Sequence, residues 1–283
     1  MPSNRALPLP GLLRRAAEIL SRNVSFQAHL PARYGHRPII VSPANNLSIL
    51  HPGARRFDPF LFALVERFVL PHSVVWDIGA NMGVFSLAAA HVTRNGRVLA
   101  IEPDPFNQHL LARTLALAAN ADLALEVLPV AVSRSIGTTW LRIAKRGRAA
   151  NSLVGASNGT QMGGVRAELS VVTVTLDWLL ERYPAPHVIK CDAEGAEHWI
   201  LQGGERLMRD VRPAIIFELT HPNAPACAAL LKRSDYVAYS AVAGPSAKPI
   251  DDLNAESEIL AEPRERRHTL QATHQSSVVS RAD

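Results

Sequence analysis

The run Val74-Val75-Trp76-Asp77-Ile78-Gly79-Ala80-Asn81-Met82-Gly83-Val84-Phe85 constrains this chain most. An apolar strand ends in an acid, a glycine-containing turn follows, and an apolar helix begins at once. In such a strand–turn–helix unit the backbone N–H groups of the turn and one carboxylate surround a small polar ligand. A second apolar strand, over residues 96–103, ends in Glu102 and Pro103. A carboxylate at that place suits the paired hydroxyls of a ribose. The two strand ends together predict a nucleoside-cofactor site.

The turn itself selects among cofactors. A dinucleotide fold calls for G-x-G-x-x-G, because a pyrophosphate must approach the backbone at the helix N-terminus. Here the turn reads Gly79-Ala80-Asn81-Met82-Gly83 and lacks the second close glycine. Asp77 weighs further against a dinucleotide, since a carboxylate at the strand tip repels a pyrophosphate and attracts a cationic amine or sulfonium. S-adenosylmethionine carries both cations, and an adenosine ribose for Glu102. A methyltransferase therefore stands ahead of a nicotinamide-dependent oxidoreductase. A non-catalytic cofactor-binding protein on the same fold is a third reading, because fold does not fix function.

Strand and helix patterns alternate through the middle of the chain. Strands are expected over residues 73–78, 97–102, 125–130, 187–191 and 214–219, with helices over 82–92, 105–119, 196–201 and 224–233. Such alternation predicts an α/β fold of Rossmann-like type, a mostly parallel central sheet with helices on both faces. Right-handed crossovers then bring Asp77, Glu102, Asp192 and Glu218 to one edge of the sheet, where open α/β sheets bind ligands. Two further strands, over 138–144 and 168–174, flank a Gly-, Asn-, Ser- and Arg-rich segment at 145–167. That segment is longer than an ordinary connection. It either covers a substrate or is an insertion without a role.

The flanks read differently. Residues 9–21 form an amphipathic helix, either a membrane-surface or targeting element or one that packs on the domain or on a second subunit. Residues 36–50 read as a short hairpin and residues 59–69 as a helix. The organisation expected is an N-terminal helix and linker over 1–34, one cofactor-binding domain over 35–263, and a disordered basic tail over 264–283. The net charge of +5 divides into +4 for residues 1–34, +2 for 264–283 and −1 between them. The expected domain thus lacks the basic footprint of a nucleic-acid-binding surface. Two cysteines, Cys191 and Cys227, have neither metal-ligand spacing nor a disulfide framework. With no apolar run long enough to span a bilayer, a cytoplasmic protein is expected, with homo-oligomerisation open.

The second motif is Val188-Ile189-Lys190-Cys191-Asp192-Ala193-Glu194-Gly195-Ala196-Glu197. Asp192 ends an apolar strand and Gly195 opens the next helix. Carboxylates beside a cleft can hold a substrate, take a proton or help bind a cation. The helix dipole favours acids there in any case, which is a sufficient reason for Glu194 and Glu197 but a weaker one for Asp192. His221, just past the fifth strand, is a further candidate base, and His198 a lesser one. No metal ligand set is visible.

In these segments, together with residues 174–177 and 213–218, the sequence resembles the FkbM family of S-adenosylmethionine-dependent methyltransferases over residues 37–263. The resemblance implies a class I methyltransferase fold. It implies cofactor binding by Asp77, Gly79, Ala80, Asn81, Gly83, Glu102 and Pro103, and catalytic work by Asp192 and Glu194. Glu218 matches the family's acid after the fifth strand. Family members differ in substrate, and many act on hydroxyl groups of sugars or polyketide-type products. The expected activity is O-methylation of such a small molecule. The weakly apolar stretches at 236–241 and 259–261 leave the last strand pairing less defined.

Overall fold

The computed structural model describes residues 20, 22–156, 163–219, 221–243 and 248–266. The helix expected over 9–21, Leu20 excepted, and the tail beyond residue 266 lie outside the described residues. In chain order the elements are β1 (Phe26–His29), β2 (Pro38–Val41), α1 (Pro59–Phe68), β3 (Val74–Ile78), α2 (Val84–Val92), β4 (Arg97–Ile101), α3 (Pro105–Leu115), β5 (Leu125–Leu128), β6 (Ala131–Val132), β7 (Gly137–Ala144), β8 (Ser152–Leu153) and β9 (Val165–Val174). They continue with α4 (Leu176–Leu180), β10 (Val188–Cys191), α5 (Glu197–Gln202), α6 (Glu205–Asp210), β11 (Ala214–Glu218), α7 (Ala224–Arg233), β12 (Tyr236–Ser240) and β13 (Glu258–Pro263).

The main sheet has the order β12-β13-β11-β10-β3-β4-β5. Strands β11, β10, β3, β4 and β5 pair in parallel, while β13 runs antiparallel between β11 and β12. This is the expected α/β architecture of Rossmann-like type, and it settles the last pairing. The strands alternate, with a period of two. Trp76, Ile78, Leu99, Ile101, Ile189, Cys191, Ile215 and Phe217 share one core with α5, α6 and α7. Val75, Val98, Val188 and Ile216 belong to a second core with α1, α2, β1 and β2. The same alternation places Asp77 and Lys190 on the side of this second core.

Local chemistry sets the helix starts that border the ligand edge. Asp58 caps α1 by accepting from Phe60 N–H, and Asp104 caps α3 by accepting from Phe106 N–H. A proline follows each cap, at a position where its missing N–H costs nothing.

Three expectations change. The hairpin over 36–50 is absent: β2 pairs instead with β1, and residues 47–50 form a 3-10 turn capped by Asn46. Residues 26–34, expected as linker, pack on the domain, with Ala28, Leu30 and Tyr34 buried. The basic tail does not begin at 264 as a free segment, because Arg264 bonds Asp235 and Glu265 bonds Arg212. The segment between the third and fourth core strands is a four-stranded sheet of its own, in the order β6-β9-β7-β8.

Candidate active site

The turn after β3 needs three left-handed residues, Gly79 at φ 74°, Asn81 at 54° and Gly83 at 88°. At Gly79 space adds a second requirement: a Cβ would lie 1.9 Å from the carbonyl oxygen of Asp192. A side chain there is therefore both strained and excluded. The contact draws the loop after β3 against the loop after β10, so the two sequence motifs form one site.

Glu102 stands at the centre. Its Oε2 accepts from Asn81 N–H at 2.7 Å, and its Oε1 accepts from Asp104 N–H at 2.8 Å. Burial pushes its carboxyl up to about 7, against the lowering effect of those bonds. Around it opens a cleft of about 590 Å³, part of it open to solvent. Gly79, Asn81, Glu102, Pro103, Asn107, Asp192 and Glu194 line it, with an apolar wall of Ile78, Ile101, Val130, Val132, Leu141 and Leu153. Arg148 and Asn151, from the segment expected as a long loop, complete the lining.

Asp77 is not where its position at the strand end suggests. It is 0% exposed and does not line the cleft. Lys190 Nζ donates to its Oδ1 at 3.3 Å, and the Ser86 hydroxyl donates to its Oδ2. Its charge is met by a lysine on the next strand. Ala80 packs against Ala100 and Leu111, and Gly83 starts α2; neither lines the cleft.

Asp192 lies where two spaces meet. It lines the cleft described above and also a smaller one of about 390 Å³ with Asp58, Phe60, Leu61, Lys190, Glu218 and Glu258. Its side chain is 39% exposed, and its Oδ2 is 3.5 Å from Lys190 Nζ. Burial lowers the Lys190 ammonium, but Asp77 and Asp192 outweigh it and the net shift is upward. Glu194, at φ 48°, is raised to about 8 by burial and by the charges of Asp192, Glu218 and Glu197. Glu258 is pushed to about 7 by burial and by Glu218 and Asp192. Burial also raises Glu218.

Of the remaining candidates, Glu197 and His198 line neither cleft. Glu197 is buried and accepts from Ala193 N–H and Gly195 N–H at the start of α5, as an acid at a helix N-terminus does. His198, on α5, packs its ring beside Trp199. His221 opens the 3-10 turn His221–Asn223, and its side chain lies outside the described residues. Among the described residues no group of three or more His, Cys, Asp or Glu side chains could hold a metal ion. No described helix is long and apolar enough to cross a membrane.

The family described as "Methyltransferase FkbM domain" matches residues 77–238. No curated protein matches the chain. Among solved structures, a methyltransferase FkbM from Methylobacillus flagellatus KT is 18% identical with a TM-score of 0.44, covering 68% of this chain and 44% of its own. A precorrin-6y C5,15-methyltransferase from Geobacter metallireducens is 13% identical at 0.41, covering 71% and 86%. A SAM-dependent O-methyltransferase from Thermotoga maritima is 11% identical at 0.40, covering 72% and 64%. The chain thus spans less than half the length of the first of these.

Proposed function

The chain belongs to the FkbM methyltransferase family, and on that premise we propose that it carries the methyl group of S-adenosylmethionine to a hydroxyl of a small molecule, a sugar or a natural product. The observation that carries this reading is the position of Asp192, on the lining of both clefts. One cleft suits the cofactor and the other the acceptor.

The residues of the larger cleft fit the cofactor. Glu102 is oriented by two backbone N–H groups and has further acceptor capacity for ribose hydroxyls. The apolar wall offers a surface for a nucleobase, and Gly79 and Asn81 line the cleft beside Glu102. When bound, S-adenosylmethionine supplies an electrophilic methyl carbon. The chain's part is alignment and proton removal. Holding two reactants in register converts a bimolecular encounter into an effectively unimolecular one. A hydroxyl is a weak nucleophile, so a carboxylate that accepts its proton contributes typically ~10²–10⁴-fold. Asp192 is the proposed base: it is half-exposed and reaches the acceptor side. Glu218 and Glu258 offer acceptor oxygens to the remaining hydroxyls of a polyol.

Incubating the protein with isotope-labelled S-adenosylmethionine and a panel of hydroxylated metabolites, followed by mass spectrometry, tests the reading. Label in an ether oxygen-linked methyl is expected. Label only on nitrogen would overturn the O-methylation assignment, and failure to bind S-adenosylhomocysteine would overturn the cofactor assignment.

A further inference from the structure

Three features of the β6–β9 sheet converge on the larger cleft. Leu141 of β7 and Leu153 of β8 form part of its apolar wall. Arg148 and Asn151, on the connection between those strands, line it as well. Both are fastened to one residue, Asp104, whose side chain is 1% exposed. Arg148 Nη1 donates to Asp104 Oδ1 at 2.8 Å and to Oδ2 at 2.5 Å, and Asn151 Nδ2 donates to Oδ2 at 2.8 Å.

We infer that Arg148 and Asn151 hold the purine-ribonucleoside half of the cofactor, with Asp104 as the positioning residue that fixes them; this rests on the cofactor reading of the cleft given above. Asp104 joins two parts of the site. Its backbone N–H orients Glu102, and its carboxylate orients the connection that carries Arg148. The guanidinium is further set by stacking 4.4 Å over the Phe106 ring. The main chain of Arg148 is tied to Ala44 O, and Asn151 Oδ1 accepts from Ala144 N–H. A buried ion pair is costly unless its geometry is well satisfied, which an appendage without a role does not require. Arg148 also keeps a buried Nε–H with no partner among the described residues. The nucleoside half is the one addressed, because the coupling runs to Glu102. The smaller cleft, with Asp58, Glu218 and Glu258, contains nothing from residues 141–153.

Calorimetric titration of the full chain with 5′-methylthioadenosine and with S-adenosylhomocysteine tests this. The wild type binding neither ligand would defeat the cofactor reading and this inference with it. With wild-type binding established, Arg148→Gln is expected to weaken both ligands about tenfold or more. Arg148→Lys keeps a charge for Asp104 but loses the planar fork. It is therefore expected to fold, with a melting temperature nearer the wild type than that of the glutamine variant, while affinity for both ligands stays reduced. Unchanged affinity in either variant would overturn the inference. So would a loss confined to S-adenosylhomocysteine, which would move Arg148 to the amino-acid half. The lysine variant decides the matter if the glutamine variant fails to fold.

Discussion

Lys190 and Asp77 occupy paired positions on adjacent parallel strands, and their side chains meet at 3.3 Å with 8% and 0% exposure. Two opposite charges are thus placed inside the sheet's covered face, beneath the turn that shapes the cleft. Removing one partner leaves an uncompensated buried charge, a loss of ~3–5 kcal/mol. Lys190→Met is expected to destabilise the domain by about that much in urea unfolding. Combining it with Asp77→Asn should recover part of the loss, since the pair acts as a unit. Simple addition of the two single-variant losses would show that the side chains are not coupled.

Stability should fall as pH rises from about 6.5 to 8.5. Glu102, Glu197 and Glu258 are raised to about 7 and Glu194 to about 8, with burial the largest cause in each. A raised carboxyl binds more protons in the folded than in the unfolded chain over this range. Its contribution is complete below the unfolded value and is lost as pH passes the folded one. His91 and His198, lowered by burial, act in the opposite direction, but chiefly below their ordinary 6.5. Unfolding of the ligand-free protein measured across that window should show the decline, and a rise in stability would refute it.

Ligand affinity should move the other way. If Glu102 accepts hydrogen bonds from ribose hydroxyls, binding favours its ionised form. S-adenosylhomocysteine should then bind more tightly at pH 8 than at pH 6, with a proton released on binding. Titrations in buffers of different ionisation enthalpy measure that proton directly. Glu102→Gln should abolish the release. Proton uptake by the wild type would contradict this role for Glu102.

Gly79 tests how the two motifs meet. Gly79→Ala places a Cβ against Asp192 O and forces a non-glycine residue to φ 74°. The backbone alone costs ~1–2 kcal/mol. The clash must also displace the loop that carries Asp192, so cofactor affinity and turnover should both fall. A variant with wild-type melting temperature and turnover would mean that the contact is not needed.

Much of this architecture was legible in local pattern. The core strands and the helix at Ala224–Arg233 follow from alternation and period, and Glu102 follows from its place at a strand end. The burial of Asp77 is not legible in the same way. A charge at a strand tip reads as exposed, whereas the partner that buries it, Lys190, lies over a hundred residues away and becomes a neighbour only through sheet order. Arg148 was invisible for a related reason. Its role depends on how a glycine-rich segment folds back on the cap of α3, and no periodicity encodes that contact. The pairing of β1 is equally hidden in local pattern, because Pro38-Ile39-Ile40-Val41 pairs back to residues 26–29 rather than forward within a hairpin.

Asp192 carries the sharpest prediction about chemistry. It ends β10 and lines both clefts, and Lys190 Nζ lies 3.5 Å from its Oδ2. As the proposed base it acts only as the acceptor loses its proton, so its removal should lower turnover more than cofactor affinity. Asp192→Asn keeps the shape and removes the charge. The change should leave folding intact, because the side chain is partly exposed and the backbone bond from Asp192 N–H to Ile78 O is retained. Turnover is expected to drop at least ~100-fold, with S-adenosylhomocysteine affinity within a few-fold of wild type. Near-normal turnover would remove Asp192 from the chemical step. Loss of folding would instead mark it as a structural partner of Lys190. In that case Glu218, which also lines the smaller cleft and is raised by its own burial, becomes the next carboxylate to test by the same pair of measurements.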